Sequence, residues 1–341
     1  MNFEEAENIP GMIELVERSM LYSTVKSIPL EENDCIVEFG PFFGRSTNCI
    51  AQGLKANTNF NNNYKFYTYD SFQCDEKGWF APHVLRAAKE GKVEELINQK
   101  GGKIDFEQVF IHYLKPYIQS KTITHIKSEL NSSFPPDKTI VFMHIDSPKY
   151  YEELKVILSK FFPKTKVGSI IVFQDFFYQW SATLILSVAI LIEKKIISIE
   201  ESAASSLVCR ILKTPTASII TDLDKIMENE SQSQNYFDVA IKSCKKINLD
   251  RPEAFLPKIT LAKIQWQYSR GYFNESRKTI VKYIREGNPF QLKLLDIFLE
   301  LLGNGFSIRH LFEKDHSQND SHTLADAGKF EIEQPKNTFL K

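Results

Sequence analysis

The sequence predicts a doubly wound α/β fold, a mostly parallel seven-stranded sheet covered by helices on both faces and followed by a helical extension. Three observations predict it. Seven short runs rich in β-branched and aromatic residues recur between residues 35 and 213, nearly continuous in apolar character, as strands buried on both faces require. Helical stretches alternate with them, which parallel connections need. Five of the runs end in polar residues, and ligands of such sheets sit beyond the carboxyl ends of the strands.

Taken in order, Met12, Leu15, Val16, Met20 and Leu21 recur at helical spacing and open the chain with a helix. "CIVEFG" (35–40) is the first strand, leading into a helix over 47–54, and "KFYTYDSF" (65–72) is the second, after an Asn-rich loop. "ITHIKSEL" (123–130) and "TIVFMHID" (139–146) follow, the latter running into a helix whose Tyr150, Leu154, Ile157, Leu158 and Phe161 share one face. "VGSIIVFQDF" (167–176), the helix "SATLILSVAILIEKK", and the runs "IISIEE" and "SLVCRILK" complete the sheet. The strand ends then supply the site candidates: Glu38 with Gly40, Asp70, Glu129, Asp146, and Gln174 with Asp175. Any one such acid is as readily a cap or turn former, but five in register point to a ligand.

Bulk properties narrow the partners. With 42 basic and 43 acidic residues the net charge is -1, so no global field favours nucleic acid or an anionic membrane. Five scattered cysteines without a C-x-x-C pair read as reduced thiols. The first residues are acidic and amphipathic, unlike a signal peptide, and the apolar run 182–192 is too short to span a bilayer. A soluble, cytoplasmic protein is expected.

We place an α/β domain over 1–214, a helical extension over 215–313 and a polar, loose tail over 314–341. Residues 74–120, with Trp79, Phe80, His83 and a "KGGK" turn, form an insert that the alternation of strand and helix does not require. It reads either as a lid over the site or as a packed decoration. In the extension, "NYFDVAIKSCKKINLDRP" and "GYFNESRKTIVKYIREGNP" repeat each other at an offset of 36 residues, resembling the second helix of tetratricopeptide pairs. The plain alternative is an ordinary helical extension. Either form could serve a homodimer or a protein partner.

The loop "EFGPFFGRS" carries the first chemical argument. A dinucleotide fingerprint needs a middle glycine so that the backbone can reach a pyrophosphate, and Phe42 stands there instead. No G-K-[ST] follows either, so the loop suits a nucleoside ligand without phosphates. S-adenosylmethionine is such a ligand. Asp70 would accept from its ribose hydroxyls, with Ser71 beside it. Glu38, Phe39, Gly40, Gly44 and Ser46 would face the methionine end, and Glu129 or its backbone the adenine.

Together "VEFGPFFGRST", "YDSF", "HIDSPKYYEEL" and "VGSIIVFQDF" resemble class I S-adenosylmethionine-dependent methyltransferases, nearest the macrocin O-methyltransferase branch, over about residues 10 to 213. The resemblance implies O-methylation of a small polar acceptor, a sugar or natural-product precursor. It also implies a Mg2+ ion held by the acid that ends the fourth strand and the pair that ends the fifth, here Asp146, Gln174 and Asp175. Gln174 departs from that pattern, since a metal-dependent member more often has a carboxylate there, and Mg2+ relies on carboxylates and water. Asp146 is the first candidate for catalysis and Asp175 the second; His144, inside its strand, reads as a buried core histidine rather than a base. Two rivals follow. A non-catalytic scaffold would keep the fold and recruit a partner through the C-terminal helices, and a nicotinamide-dependent enzyme is opposed by Phe42.

Overall fold

The structure, a computed structural model, describes residues 4–60, 65–147, 150–216, 218–287 and, beyond these, 291–293, 295, 296 and 298. In chain order the strands are β1 (Asp34–Phe39), β2 (Lys65–Asp70), β3 (Gln73–Asp75), β4 (Asn98–Lys100), β5 (Lys103–Asp105), β6 (Ile123–Lys127), β7 (Thr139–Ile145), β8 (Thr165–Phe173), β9 (Ile197–Ala203) and β10 (Ser206–Ile211). The helices are α1 (Glu4–Glu7), α2 (Leu15–Ser27), α3 (Arg45–Ala56), α4 (Ala81–Gly91), α5 (Glu107–Gln119), α6 (Tyr151–Val156), α7 (Ala182–Glu193), α8 (Ser218–Glu228), α9 (Glu230–Cys244), α10 (Pro252–Ser269) and α11 (Phe273–Glu286).

The main sheet has the order β6-β2-β1-β7-β8-β10-β9. Neighbours pair in parallel from β6 through β8, while β10 runs antiparallel to both β8 and β9. All seven expected strands are present, and the direction of winding reverses between β1 and β7. This is the doubly wound arrangement, with its crevice at the carboxyl ends of those two central strands. Every residue of β1 is buried, as a central strand covered on both faces demands.

Strand alternation divides the polar from the apolar face at this point. Phe39 turns to the face where Tyr69 (5.4 Å between rings) and Phe161 (4.7 Å, edge to face) pack beneath α6. Glu38 turns the other way, toward α3, together with its register partners Thr68 and His144. Helix α6 widens into a π-turn over Ile157–Phe161, and this turn carries Phe161 into its contact.

The opening helix begins three residues later than Met12, and its apolar pattern splits. Met20, Leu21 and Val25 enter the core, whereas Met12, Leu15 and Val16 stay exposed. The buried stripe also contains Glu17. Helices α2 and α3 cross closely at Gly53, where a Cβ would come within 2.6 Å of the Tyr22 carbonyl oxygen.

The insert is more ordered than its sequence indicated. Besides α4 and α5, it forms a small antiparallel sheet in the order β3-β5-β4, with the expected "KGGK" turn between β4 and β5. Phe42 packs on Phe80 (5.5 Å) and Phe106 (5.7 Å), the residues that open α4 and α5.

The chain divides into two compact units, Met1–Ile259 and Thr260–Lys341. The first continues past the expected boundary at residue 214. Lys194 binds Asp222 (2.7 Å) and Tyr151 donates to Asp224 (3.0 Å), so α8 is fastened to the sheet's helical layer. Within the second unit, α11 is held by the Thr279 hydroxyl donating to Gln267 (2.9 Å) and by Tyr268 against Phe273. Of the aligned repeat positions, Ala240 and Ser276 are both buried, but Phe237 is buried and Phe273 exposed. The tail over 314–341 lies outside the described residues. Among those described, no helix is long and apolar enough to cross a membrane.

Candidate active site

The loop after β1 is set by backbone geometry. Gly40 has φ 77° and sits so close to the end of β7 that a Cβ would meet Ser147 Cβ and N at 2.9 Å. Gly44, with φ 98°, caps α3, and its missing Cβ leaves room for Leu114 of the insert (2.4 Å to Cδ2). Between them Phe42 adopts φ 52°, the left-handed region that a side chain rarely enters. Its ring stacks on Phe43 at 4.1 Å, and Phe43 is fully buried. The odd aromatics of this loop therefore pin the insert to the sheet.

Beneath the loop runs a buried polar row. Glu38 Oε2 accepts from the Thr47 hydroxyl (2.6 Å), and His144 Nδ1 lies 3.0 Å from Glu38 Oε1. Both partners of this pair are fully buried. Burial opposes a charge on His144, but the Glu38 hydrogen bond and carboxylate, with Asp146 and Gln174 nearby, raise its pKa above the ordinary value. Its Nε2 is buried and has no hydrogen-bond partner. Glu38, expected at the methionine end of a ligand, instead spends both oxygens inside the protein.

Gln174 is likewise committed. Its Nε2 donates to Glu17 Oε1 (2.9 Å) and Ser205 Oγ (3.1 Å), and its Oε1 accepts from Ser206 Oγ (2.6 Å). Both serines also donate to Glu17 Oε1 at 2.9 Å, and the Glu14 amide donates to Glu17 Oε2 at 2.8 Å. A glutamine oxygen already accepting a short hydrogen bond is poorly available to a cation. Among the described residues no group of three or more His, Cys, Asp or Glu is placed to hold a metal ion. The residues present therefore do not fit the Mg2+ site that Asp146, Gln174 and Asp175 were expected to make. Asp175 follows β8 at φ 59° and, like Asp146, is half-buried.

Asp70 ends β2, partly exposed, with Oδ1 accepting from the Phe72 amide at 2.7 Å. Burial pushes its pKa up to about 6, against the lowering effect of the Phe72 and Phe42 amides; Asp146 and Glu38 push it up further. Three carboxylates, Glu38, Asp70 and Asp146, thus feel one another around Gly40. Ser71 lies beside Asp70, its hydroxyl donating to the Gln73 carbonyl (3.2 Å), and Ser46 is buried in the first turn of α3. Phe39 enters the core, while its carbonyl accepts from the Asp146 and Ser147 amides (3.0 and 3.3 Å). Glu129 lies past the end of β6 with its side chain exposed, because β6 stops at Lys127. The Ser128 amide donates to the Asp70 carbonyl at 2.8 Å, bringing the backbone of that segment to the β2 end.

The sequence reading missed Glu17, Thr47, Ser205 and Ser206. The available signal was Glu17, an acid three and four residues before Met20 and Leu21 on one apolar stripe. Each of the two compact units carries a surface concavity. One of about 450 Å³ is bounded by Pro29, Lys166, Gly168 and Arg210 at the amino ends of the strands, and the other lies along α11.

Residues 37–176 match a family model described as a methyltransferase domain. Among solved structures, the O-methyltransferase NovP aligns at 16% identity over 60% of this chain and 83% of its own, with TM-score 0.43. CalS11, a TDP-rhamnose 3'-O-methyltransferase of calicheamicin biosynthesis, aligns at 17% identity over 57% and 77%, with TM-score 0.39. A putative caffeoyl-CoA O-methyltransferase from Staphylococcus aureus aligns at 10% identity over 62% and 88%, with TM-score 0.35. No match was found among curated protein sequences. The strand order and the glycine turn after β1 are in keeping with the methyltransferase-domain model that residues 37–176 match.

Proposed function

We propose that the protein is an S-adenosylmethionine-dependent methyltransferase acting on an oxygen of a small polar acceptor, a sugar or natural-product precursor. The observation that carries the cofactor half is Asp70, a partly exposed carboxylate at the end of β2 beside the tight Gly40 turn. Ribose hydroxyls would bind its remaining lone pairs, since the Phe72 and Phe42 amides engage only part of its accepting capacity. The Gly40 and Ser46 region would face the methionine end, Ser71 the ribose edge, and the backbone around Glu129 the adenine. The acceptor class follows from the family resemblance alone.

Bound S-adenosylmethionine would supply a sulfonium methyl group for transfer to the acceptor oxygen, with S-adenosylhomocysteine as the leaving group. The chain's own task is alignment and management of the acceptor proton. Asp146, half-buried next to Gly40 and Ser147, is assigned as the proton acceptor, with Asp175 orienting the acceptor from the end of β8. His144 is excluded as a base because it is fully buried and tied to Glu38.

Calorimetric titration of the full chain with S-adenosylmethionine tests the reading. Micromolar binding that Asp70→Ala weakens about a hundredfold is expected; the absence of heat with the folded protein would leave the scaffold alternative.

A further inference from the structure

The first compact unit runs on to Ile259 and so takes in the start of α10, well beyond the residues that match the methyltransferase-domain model. Arg251, just before α10, and Phe255 and Lys258 within it are spaced four and three residues apart and share one face. This face is fastened to the rest of the unit through its first two members. The buried Phe255 ring meets Phe177 at 5.7 Å, and Phe177 follows Asp175 in the segment that leaves the carboxyl end of β8. Arg251 binds Glu14 at the start of α2 (2.8 Å) and Asp250 (3.2 Å), whose carboxylate also accepts from the Ala204 amide (3.0 Å).

Lys258 is the member of this face without a counter-charge. Its stem is half-buried, and its Nζ lies 4.9 Å from the centre of the Phe255 ring, which the Arg251 guanidinium shares from 5.0 Å. Among the described residues the amino group has no hydrogen bond, and no carboxylate lies within 4.0 Å of it. Nor is it sealed in, since Nζ is not among the fully covered polar atoms that lack a partner. By contrast, Lys103, Lys127, Lys155 and Lys166 each bond a carboxylate that raises the amino pKa. The pKa of Lys258 is lowered. Burial is the main cause; Glu14 opposes it, Arg251 reinforces it, and Asp175 opposes it, both carboxylates acting from beyond bonding distance. A half-buried ammonium in this state is stabilised by any anion that bonds to it.

The effect of Asp175 on Lys258 brings the amino group within electrostatic reach of the β8 end, the side assigned above to the acceptor. Glu14 is already bound by Arg251 and does not fill the role of the missing anion.

We infer that Lys258 binds an anionic group of the acceptor, a phosphate or a carboxylate, and so selects charged acceptors over neutral ones. This rests on the proposed reading of the site and adds to it the charge of the substrate. A compact ammonium on a flexible stem suits the task, because its three donors can follow the anion without a fixed fork. Lys258 lies outside residues 37–176, so the choice of acceptor comes from the extension rather than from the matched domain.

The test is calorimetry on the full chain saturated with S-adenosylhomocysteine, with glucose 1-phosphate, glucuronate and glucose as probes. At least one anionic probe is expected to bind about tenfold or more tighter than glucose, and Lys258→Met to abolish that preference. S-adenosylhomocysteine itself should bind Lys258→Met within about twofold of the unmodified chain, which shows that the variant is folded. Lys258→Gln, neutral but polar, should lose the preference as well and guards against a folding defect in the first variant. Binding of glucose 1-phosphate alone would assign a phosphate to the acceptor, and binding of glucuronate alone a carboxylate. No preference over glucose, or a preference that survives both substitutions, overturns the inference while the cofactor reading stands. Failure of the unmodified chain to bind S-adenosylhomocysteine overturns the cofactor reading and this inference with it.

Discussion

Asp70 is held between two demands: an ionised carboxylate suits ribose hydroxyls, yet burial and the acids around it push its pKa up to about 6. Because the folded value lies above the ordinary 3.8, its stability contribution is fully present below that ordinary value and is lost as pH rises through about 6. Asp70→Asn should therefore raise the melting temperature at pH 7.5 by roughly 2–4 °C while weakening S-adenosylhomocysteine. In the unmodified protein, the affinity for S-adenosylhomocysteine should fall as pH is lowered through the Asp70 transition, a trend calorimetry at several pH values would show. His144 follows the same sign, since its pKa is raised and its contribution fades as pH rises through the folded value. Glu38→Gln removes the charge beneath it and is expected to cost about 3 kcal/mol in urea unfolding. At this scale the sequence was a partial guide. Asp70 and Asp146 stand at strand ends as their position indicated. Gln174 and Glu38 are hydrogen-bonded by Glu17, Ser205, Ser206 and Thr47, which come to them from positions that strand-end logic does not see.

At the scale of elements, the crossing of α2 and α3 is a close backbone contact at Gly53. Gly53→Ala would place a methyl 2.6 Å from the Tyr22 carbonyl, a backbone atom that cannot rotate away. We expect it to destabilise the fold by roughly 1–3 kcal/mol and to weaken cofactor binding as α2 is pushed off α3. Denaturant unfolding and S-adenosylhomocysteine titration of one variant check both. The strands were legible because their β-branched runs are nearly continuous. The insert's small sheet was not, since β3, β4 and β5 have three residues each and no alternating pattern to read. The ring of Phe42 lies against Phe43, Phe80 and Phe106 and joins the loop to the insert, a set of partners that the sequence alone does not name. The insert is accordingly a fastened neighbour of the β1 loop, and we propose that it borders the acceptor side of the site.

At the scale of the whole molecule, the strand order places the crevice between β1 and β7, and the doubly wound sheet itself was anticipated from the alternation of strands and helices. The extent of the first unit was not, because the bonds of α8 to Tyr151 and Lys194 join segments far apart in sequence. Stability should be graded along this architecture. Amide exchange is expected to be slowest in β1, whose residues are all buried, and fastest in β4, whose residues are all exposed. The central claim is that the carboxyl ends of β1 and β2 hold S-adenosylmethionine. A crystal structure of the full chain with S-adenosylhomocysteine tests it most directly. Ribose density at Asp70, with the amino-acid end beside the Gly40 turn, is the expected result; the ligand bound elsewhere, or the Gly40–Asp70 crevice without it at saturating concentration, would contradict the claim.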